Sequence, residues 1–118
     1  MAQSAAAPSR AAQPSRVAEL ARYFPDATPV RIPVEFTRHD TLAQDSALRE
    51  STVIEYGTSR EVLFACAARL EFGDTLGLRN SDGSLDAEAS VVAVQYQPGL
   101  TLVAARFLKQ VPNWIVKP

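Results

Sequence analysis

The sequence predicts an all-β fold, a small six-stranded antiparallel β-barrel with one short N-terminal helix. Three observations carry that expectation. Apolar residues recur at every second position, as in Val30, Ile32, Val34 and Phe36, the period of a strand with one buried face. Turn-forming clusters separate the apolar runs: Gly57-Thr58-Ser59, Phe72-Gly73-Asp74, Asn80-Ser81-Asp82-Gly83 and Gln97-Pro98-Gly99. The run at residues 85–97 is long for one straight strand, and a bend within it suits a sheet that closes on itself.

Composition sets the outer limits. A chain of 118 residues allows one domain with a core of its own. At 47% hydrophobic and 21% charged residues it has the balance of an ordinary globular protein. Twelve basic residues against 13 acidic ones argue against a nucleic-acid binder that relies on a basic surface. One cysteine excludes an intramolecular disulfide and a cysteine-rich zinc site. No apolar stretch approaches the ~18 residues of a membrane span, so no membrane insertion is expected. The Ala-rich N-terminus lacks an apolar h-region and is interrupted by Pro8, Arg10, Pro14 and Arg16, so cytoplasmic residence is expected.

Taken in order, residues 1–14 are low-complexity Ala, Ser, Pro and Gln, which offer too little apolar bulk to offset ordering entropy, and a disordered arm is expected there. Residues 15–118 form the expected folded unit. Ser15 suits the cap of a short helix in which Val17, Leu20, Ala21 and Phe24 fall at i, i+3, i+4 and i+7. Pro25 is expected to end it. Such a stripe packs on the body of the fold or meets a partner. The first strand covers residues 30–37, with Pro33 favouring an edge or bulge because it has no donor. Residues 39–48 are polar and irregular, a loop in which His39 beside Asp40 reads as a solvated histidine, since no nucleophile motif accompanies the pair.

The second strand is the β-branched and aromatic run at residues 52–56, and a polar corner follows at residues 57–61. Residues 61–71 are ambiguous by pattern: their Ala and Leu suit three helical turns, while alternation of Val62, Phe64 and Cys66 favours a strand. On the strand reading Cys66 is a small buried hydrophobe rather than a reactive thiol. Residues 75–79 alternate again. Asn80-Ser81-Asp82-Gly83 makes a hairpin turn, too short and without the terminal glutamate for a calcium loop. The strand at 85–97 follows, then a Pro98-Gly99 turn of type II geometry. Residues 101–107 place Val103, Ala105 and Phe107 on one face. In the tail, Trp114 and Ile115 are positioned to pack back onto the body.

No phosphate-binding glycine loop, metal-ligand cluster or catalytic triad can be assembled from these residues, and a non-catalytic binding module with no cofactor is expected. The corner at residues 57–61 holds the chain's one concentration of ligand-capable groups.

Over residues 30–116 the chain resembles the PilZ domain family, which is associated with bacterial cyclic di-GMP signalling. The resemblance rests on short pieces in order: Arg31-Ile32-Pro33-Val34, Thr58-Ser59-Arg60 before Val62-Leu63-Phe64, the turn Leu70-Glu71-Phe72-Gly73-Asp74-Thr75-Leu76, the runs at 89–94 and 102–108, and Pro112-Asn113-Trp114. It implies a six-stranded barrel. The family reads its ligand with R-x-x-x-R before the barrel and D/N-x-S-x-x-G on it. Here Arg31 stands for one arginine, but Ala27 lies four residues earlier and Arg22 is the nearest upstream basic residue. Ser59 matches the corner serine, while Gly57 takes the acidic position, and the motif glycine is replaced by Val62 or, if the following apolar run is aligned instead, deleted.

The resemblance therefore implies a degenerate member. An arginine bond to phosphate and a carboxylate bond to a guanine edge are each worth about 1.5–3 kcal/mol, so losing both removes roughly two to four decades of affinity. Glu61 adds a negative charge beside any phosphate held by Ser59 and Arg60. The expected function is a signalling or adaptor module acting through a protein partner, with cyclic di-GMP binding weak or lost. The alternative is a working receptor that uses substitute arginines. On either reading the candidate ligand residues are Arg22, Arg31, Ser59 and Arg60.

Overall fold

The computed structural model describes residues 16–38, 48–111 and Trp114. Among the described residues, one helix, α1 (Val17–Ala21), precedes six strands: β1 (Thr28–Arg38), β2 (Leu48–Gly57), β3 (Glu61–Cys66), β4 (Thr75–Asn80), β5 (Asp86–Gln97) and β6 (Leu100–Phe107). The strands close into a barrel in the order β1-β2-β3-β6-β5-β4, with β1 and β4 making the closing seam. Every pairing is antiparallel. The expected all-β barrel with one short helix is what the chain forms. No helix among the described residues is long and apolar enough to cross a membrane. The expectations for residues 1–14, for Ser15 as a cap, for His39 and Asp40, and for Pro112, Asn113 and Ile115 fall outside the described residues.

Alternation places one side chain in two inside the barrel. Val34 and Phe36 enter from β1, Val62, Phe64 and Cys66 from β3, and Leu76 and Leu78 from β4. Phe36 and Phe64 meet near the centre with ring centroids 5.5 Å apart. From β6, Val103, Ala105 and Phe107 face inward, as the alternation predicts. Burying each large aliphatic or aromatic side chain contributes about 1.5–3 kcal/mol before conformational entropy is subtracted, and this is the main force closing the sheet.

Strand ends differ from the sequence reading wherever pairing, not side-chain polarity, decides. Leu48, read as loop, begins β2 because Leu48, Arg49, Glu50 and Ser51 pair with Arg38, Thr37, Phe36 and Glu35 across the β1–β2 ladder. The ambiguity over residues 61–71 resolves as strand through Cys66, since all six residues of β3 pair with β6 from Glu61↔Arg106 to Cys66↔Thr101. Beyond Cys66 the chain turns, and the Glu50 carboxylate accepts the Ala67 and Ala68 amides at 2.8 and 3.0 Å. The bend expected in the long fifth strand is a bulge. Val91 pairs with Ala105 and Ala93 with Ala104, leaving Val92 over. Pro33 pairs with Val53, and contact with β4 begins one residue later at Val34, so its missing donor falls where β1 has a partner on one side. Gly83 and Gly99 sit in their turns at φ of 78° and 70°, where a side chain would be strained.

The helix is shorter than its apolar spacing suggests. It ends at Ala21, not at Pro25, and Arg22 follows as the C-cap. Single-turn hydrogen bonds carry the chain onward, Tyr23 and Phe24 donating to Leu20 and Ala21, and Ala27 donating to Phe24. Val17 and Leu20 bury against Leu63, Leu102 and Ala104 on the outer face of β3 and β6. Those two strands are thus covered on both sides, which explains their nearly unbroken apolar sequence.

Candidate functional site

The polar corner between β2 and β3 is built around Thr58. Its hydroxyl accepts the Arg60 and Glu61 amides at 3.0 and 2.9 Å and donates to Glu61 Oε1 at 2.6 Å. The Thr58 amide in turn donates to the Glu61 carbonyl at 2.9 Å. A short polar side chain bonding backbone two and three residues ahead is a local turn device. Here it reverses the chain with its groups satisfied from within.

Glu61 is held from the other side as well. Arg106 on β6 donates to Glu61 Oε2 from Nε at 2.9 Å and from Nη2 at 2.8 Å, and the two residues face each other across the β3–β6 ladder. Burial alone would raise the Glu61 carboxyl. The bonds from Thr58 and Arg106 and the charges of Arg106 and Arg60 outweigh it and hold the group below the usual carboxylate range. Both carboxylate oxygens therefore have partners within the fold. The negative charge of Glu61 at the corner is paired with Arg106.

Trp114 covers the same corner. Its indole N–H donates to the Thr58 carbonyl at 3.0 Å in a buried bond, and its ring meets Phe107 edge-on with centroids 5.4 Å apart. The ring lies on Gly57 so closely that a β-carbon there would come within 2.3 Å of Cη2 and 2.6 Å of Cζ2. Gly57 thus stands where it does because an indole occupies the space a side chain would need. The Phe107 amide, donating to the Arg60 carbonyl at 2.9 Å, closes the contact from β6.

Of the four candidate ligand residues, Ser59 and Arg60 are neighbours at the corner, and both side chains are exposed. Arg31 is exposed on β1, within the irregular stretch between Pro29 and Ile32. Thr28 pairs with Gly57 at the start of that strand, so Arg31 lies on the strand that borders the corner. Arg22 is exposed at the C-cap of α1, an element that packs on β2, β3 and β6.

The sequence singled out Ser59, noted the charge of Glu61 and expected Trp114 to pack back onto the body, as it does; it did not show the bonds by which Thr58, Glu61, Arg106 and Trp114 organise the corner. One signal was present: Thr58-x-x-Glu61 has the spacing of a capping box, in which a hydroxyl and a carboxylate close a turn between them.

Elsewhere among the described residues, several polar groups are paired. Asp74 Oδ2 accepts the Glu71 amide at 2.8 Å and faces Arg38 at 3.5 Å, which fixes the turn before β4. Asp82 accepts the Ser84 amide at 2.9 Å. Burial pushes the Cys66 thiol up to about 12, in keeping with its reading as a buried hydrophobe. An open groove of about 380 Å³ runs past Pro33, Glu35, Ser51, Thr52, Arg79 and Asn80, where β1 gains β4 as a neighbour. Its charged groups are matched by Arg49 with Glu35 at 3.7 Å and Arg79 with Asp86 at 3.3 Å, and none of the four candidate residues lines it. Searches against family models and against curated proteins find no match to the chain.

Proposed function

We propose that this chain is a non-catalytic, PilZ-like cytoplasmic signalling or adaptor module that acts through protein contacts, with cyclic di-GMP binding weak or lost. The observation that supports the reading most is the internal satisfaction of the corner. The Thr58 hydroxyl and both Glu61 oxygens are bonded within the fold, and the Trp114 indole lies over Gly57. What remains to meet a ligand there is the exposed pair Ser59 and Arg60. A guanine edge would find no free carboxylate, and a phosphate would find one arginine at the corner, with Arg31 and Arg22 on other elements. Each missing charge-assisted bond costs about 1.5–3 kcal/mol, so a micromolar site becomes a submillimolar or millimolar one.

Calorimetric titration with cyclic di-GMP at low salt, where screening is least, tests the reading. The expected dissociation constant is weaker than about 10 μM, or roughly −7 kcal/mol. A tighter value would support the receptor that uses substitute arginines, and alanine at Arg22, Arg31 and Arg60 in turn would then identify the one holding phosphate.

A further inference from the structure

Helix α1 is five residues long, well below the ~12 residues at which an isolated helix becomes even marginally stable. Its N-cap, Arg16, makes no side-chain cap bond, and no basic residue occupies its last turn. An exposed bond from Arg16 Nη1 to Gln97 Oε1 at 3.1 Å ties its start to the end of β5. The helix owes its form to the surface beneath it. Val17 and Leu20 are buried there against Leu63, Leu102 and Ala104, and Ala21 and Phe24 pack at the border. This cluster lies outside the barrel and is separate from the one within it, so the strands keep their interior packing whether or not the helix is seated. A short element with its own small apolar cluster is the kind that opens locally, without global unfolding.

We propose that α1 is a releasable cover, and that the outer face of β3 and β6 beneath it receives an amphipathic helix of a partner protein when α1 lifts. The seated element defines the chemistry of the occupant: apolar residues at i, i+3 and i+4 of a helix, as Val17, Leu20 and Ala21 supply, with Phe24 adding a contact from the turn that follows. Leu63 and Leu102 provide apolar contacts, and Ala65, Ala93 and Ala104 keep the surface low enough for a helix to approach. The inference rests on the protein-contact reading above and names the surface that would serve it. A cis-tethered cover competes with the partner at the high effective concentration of an intramolecular contact, so docking is regulated by whatever draws α1 away.

Two measurements on the full chain test this. In the first, Leu20→Asp lifts the helix, and a fluorescein-labelled synthetic peptide of residues 15–27 is the probe. The variant should bind the peptide at least about tenfold more tightly than the unmodified chain, whose face is occupied in cis. Equal or weaker binding to a folded variant overturns the docking face, and Leu20→Ala replaces the variant if the aspartate prevents folding. In the second, Ala104→Cys puts a thiol under the helix, with Cys66 inside the barrel as the internal control. The thiol under the helix should label at least about a hundredfold faster than Cys66, at a rate insensitive to low denaturant. Labelling of both at one common rate means the cover does not lift, and the proposal falls. Neither readout involves nucleotide, so a tight cyclic di-GMP titration would refute the functional reading without touching this result, and the converse also holds.

Discussion

Gly57→Ala isolates the contact on which the corner depends. The added methyl would sit 2.3 Å from Trp114 Cη2, whereas carbon atoms rest at about 3.5–4.0 Å, so the ring must move by more than an ångström. It has little room, because Phe107 stands edge-on at 5.4 Å and the indole N–H is bonded to the Thr58 carbonyl. Overpacking of this kind costs about 1–3 kcal/mol, and complete expulsion of the indole is bounded by the ~3–5 kcal/mol of a Trp→Ala change. Against this, Ala gains roughly 0.5–1 kcal/mol over Gly in a strand. The net expectation is a loss of about 1 kcal/mol if the ring shifts in place, rising to about 3 if the indole is expelled. Trp114 is the only tryptophan, so one urea titration followed by fluorescence reports both stability and the ring's surroundings, and native emission should shift to the red. In a Trp114→Ala background, followed by circular dichroism, the same substitution should be neutral or slightly stabilising. An unchanged midpoint with unchanged emission in the single variant would refute the packing argument.

Thr58→Val removes the hydroxyl that three bonds share and should destabilise by about 1–3 kcal/mol, while Ser59→Ala should stay within ~0.5 kcal/mol; chemical denaturation of the pair would expose a reversed order. Phe107→Ala should cost about 3–5 kcal/mol through transfer and cavity terms, and a loss under ~1 kcal/mol would mean that β6 is out of register. The Glu61 carboxyl is held low when folded, so its contribution is present above its unfolded pKa and disappears as pH falls through the folded value. Glu61→Gln should therefore flatten the stability profile below about pH 4, and a profile of unchanged slope there would contradict the Arg106 pairing.

Most of the fold was legible because one property, period-two alternation, decides both strand identity and facing. Val103, Ala105 and Phe107 could be assigned to the interior from spacing alone, and Pro98-Gly99 placed its turn without knowledge of the sheet. Strand ends were not legible to the same degree. Leu48 is recruited into β2 by its partner Arg38, a residue ten positions away that carries no local signal for pairing. The helix end eluded the spacing because Phe24 packs at the border of the cluster from a turn, not from a continuing helix.

The corner was legible as a place, but the bonds that hold it were not. Ser59 drew notice by matching a motif, yet Thr58 bears the bonds. Gly57 read as a missing acceptor, and its cause, the indole of a residue 57 positions later, is a long-range packing fact. Arg106 reaches Glu61 only through the β3–β6 register, which no local window contains.

On the proposed reading the corner is a structural clasp at which a nucleotide binds weakly or not at all. That reading is tested most directly by following the amide and indole N–H resonances of the uniformly ¹⁵N-labelled chain while cyclic di-GMP is added to about 1 mM, a level that would half-saturate a site worth only roughly −4 kcal/mol. The prediction is that the Trp114 indole resonance stays in place and that any shifts at Ser59 and Arg60 develop only at submillimolar to millimolar nucleotide. Saturable shifts of the Glu61 amide and the Trp114 indole at micromolar nucleotide would contradict the account.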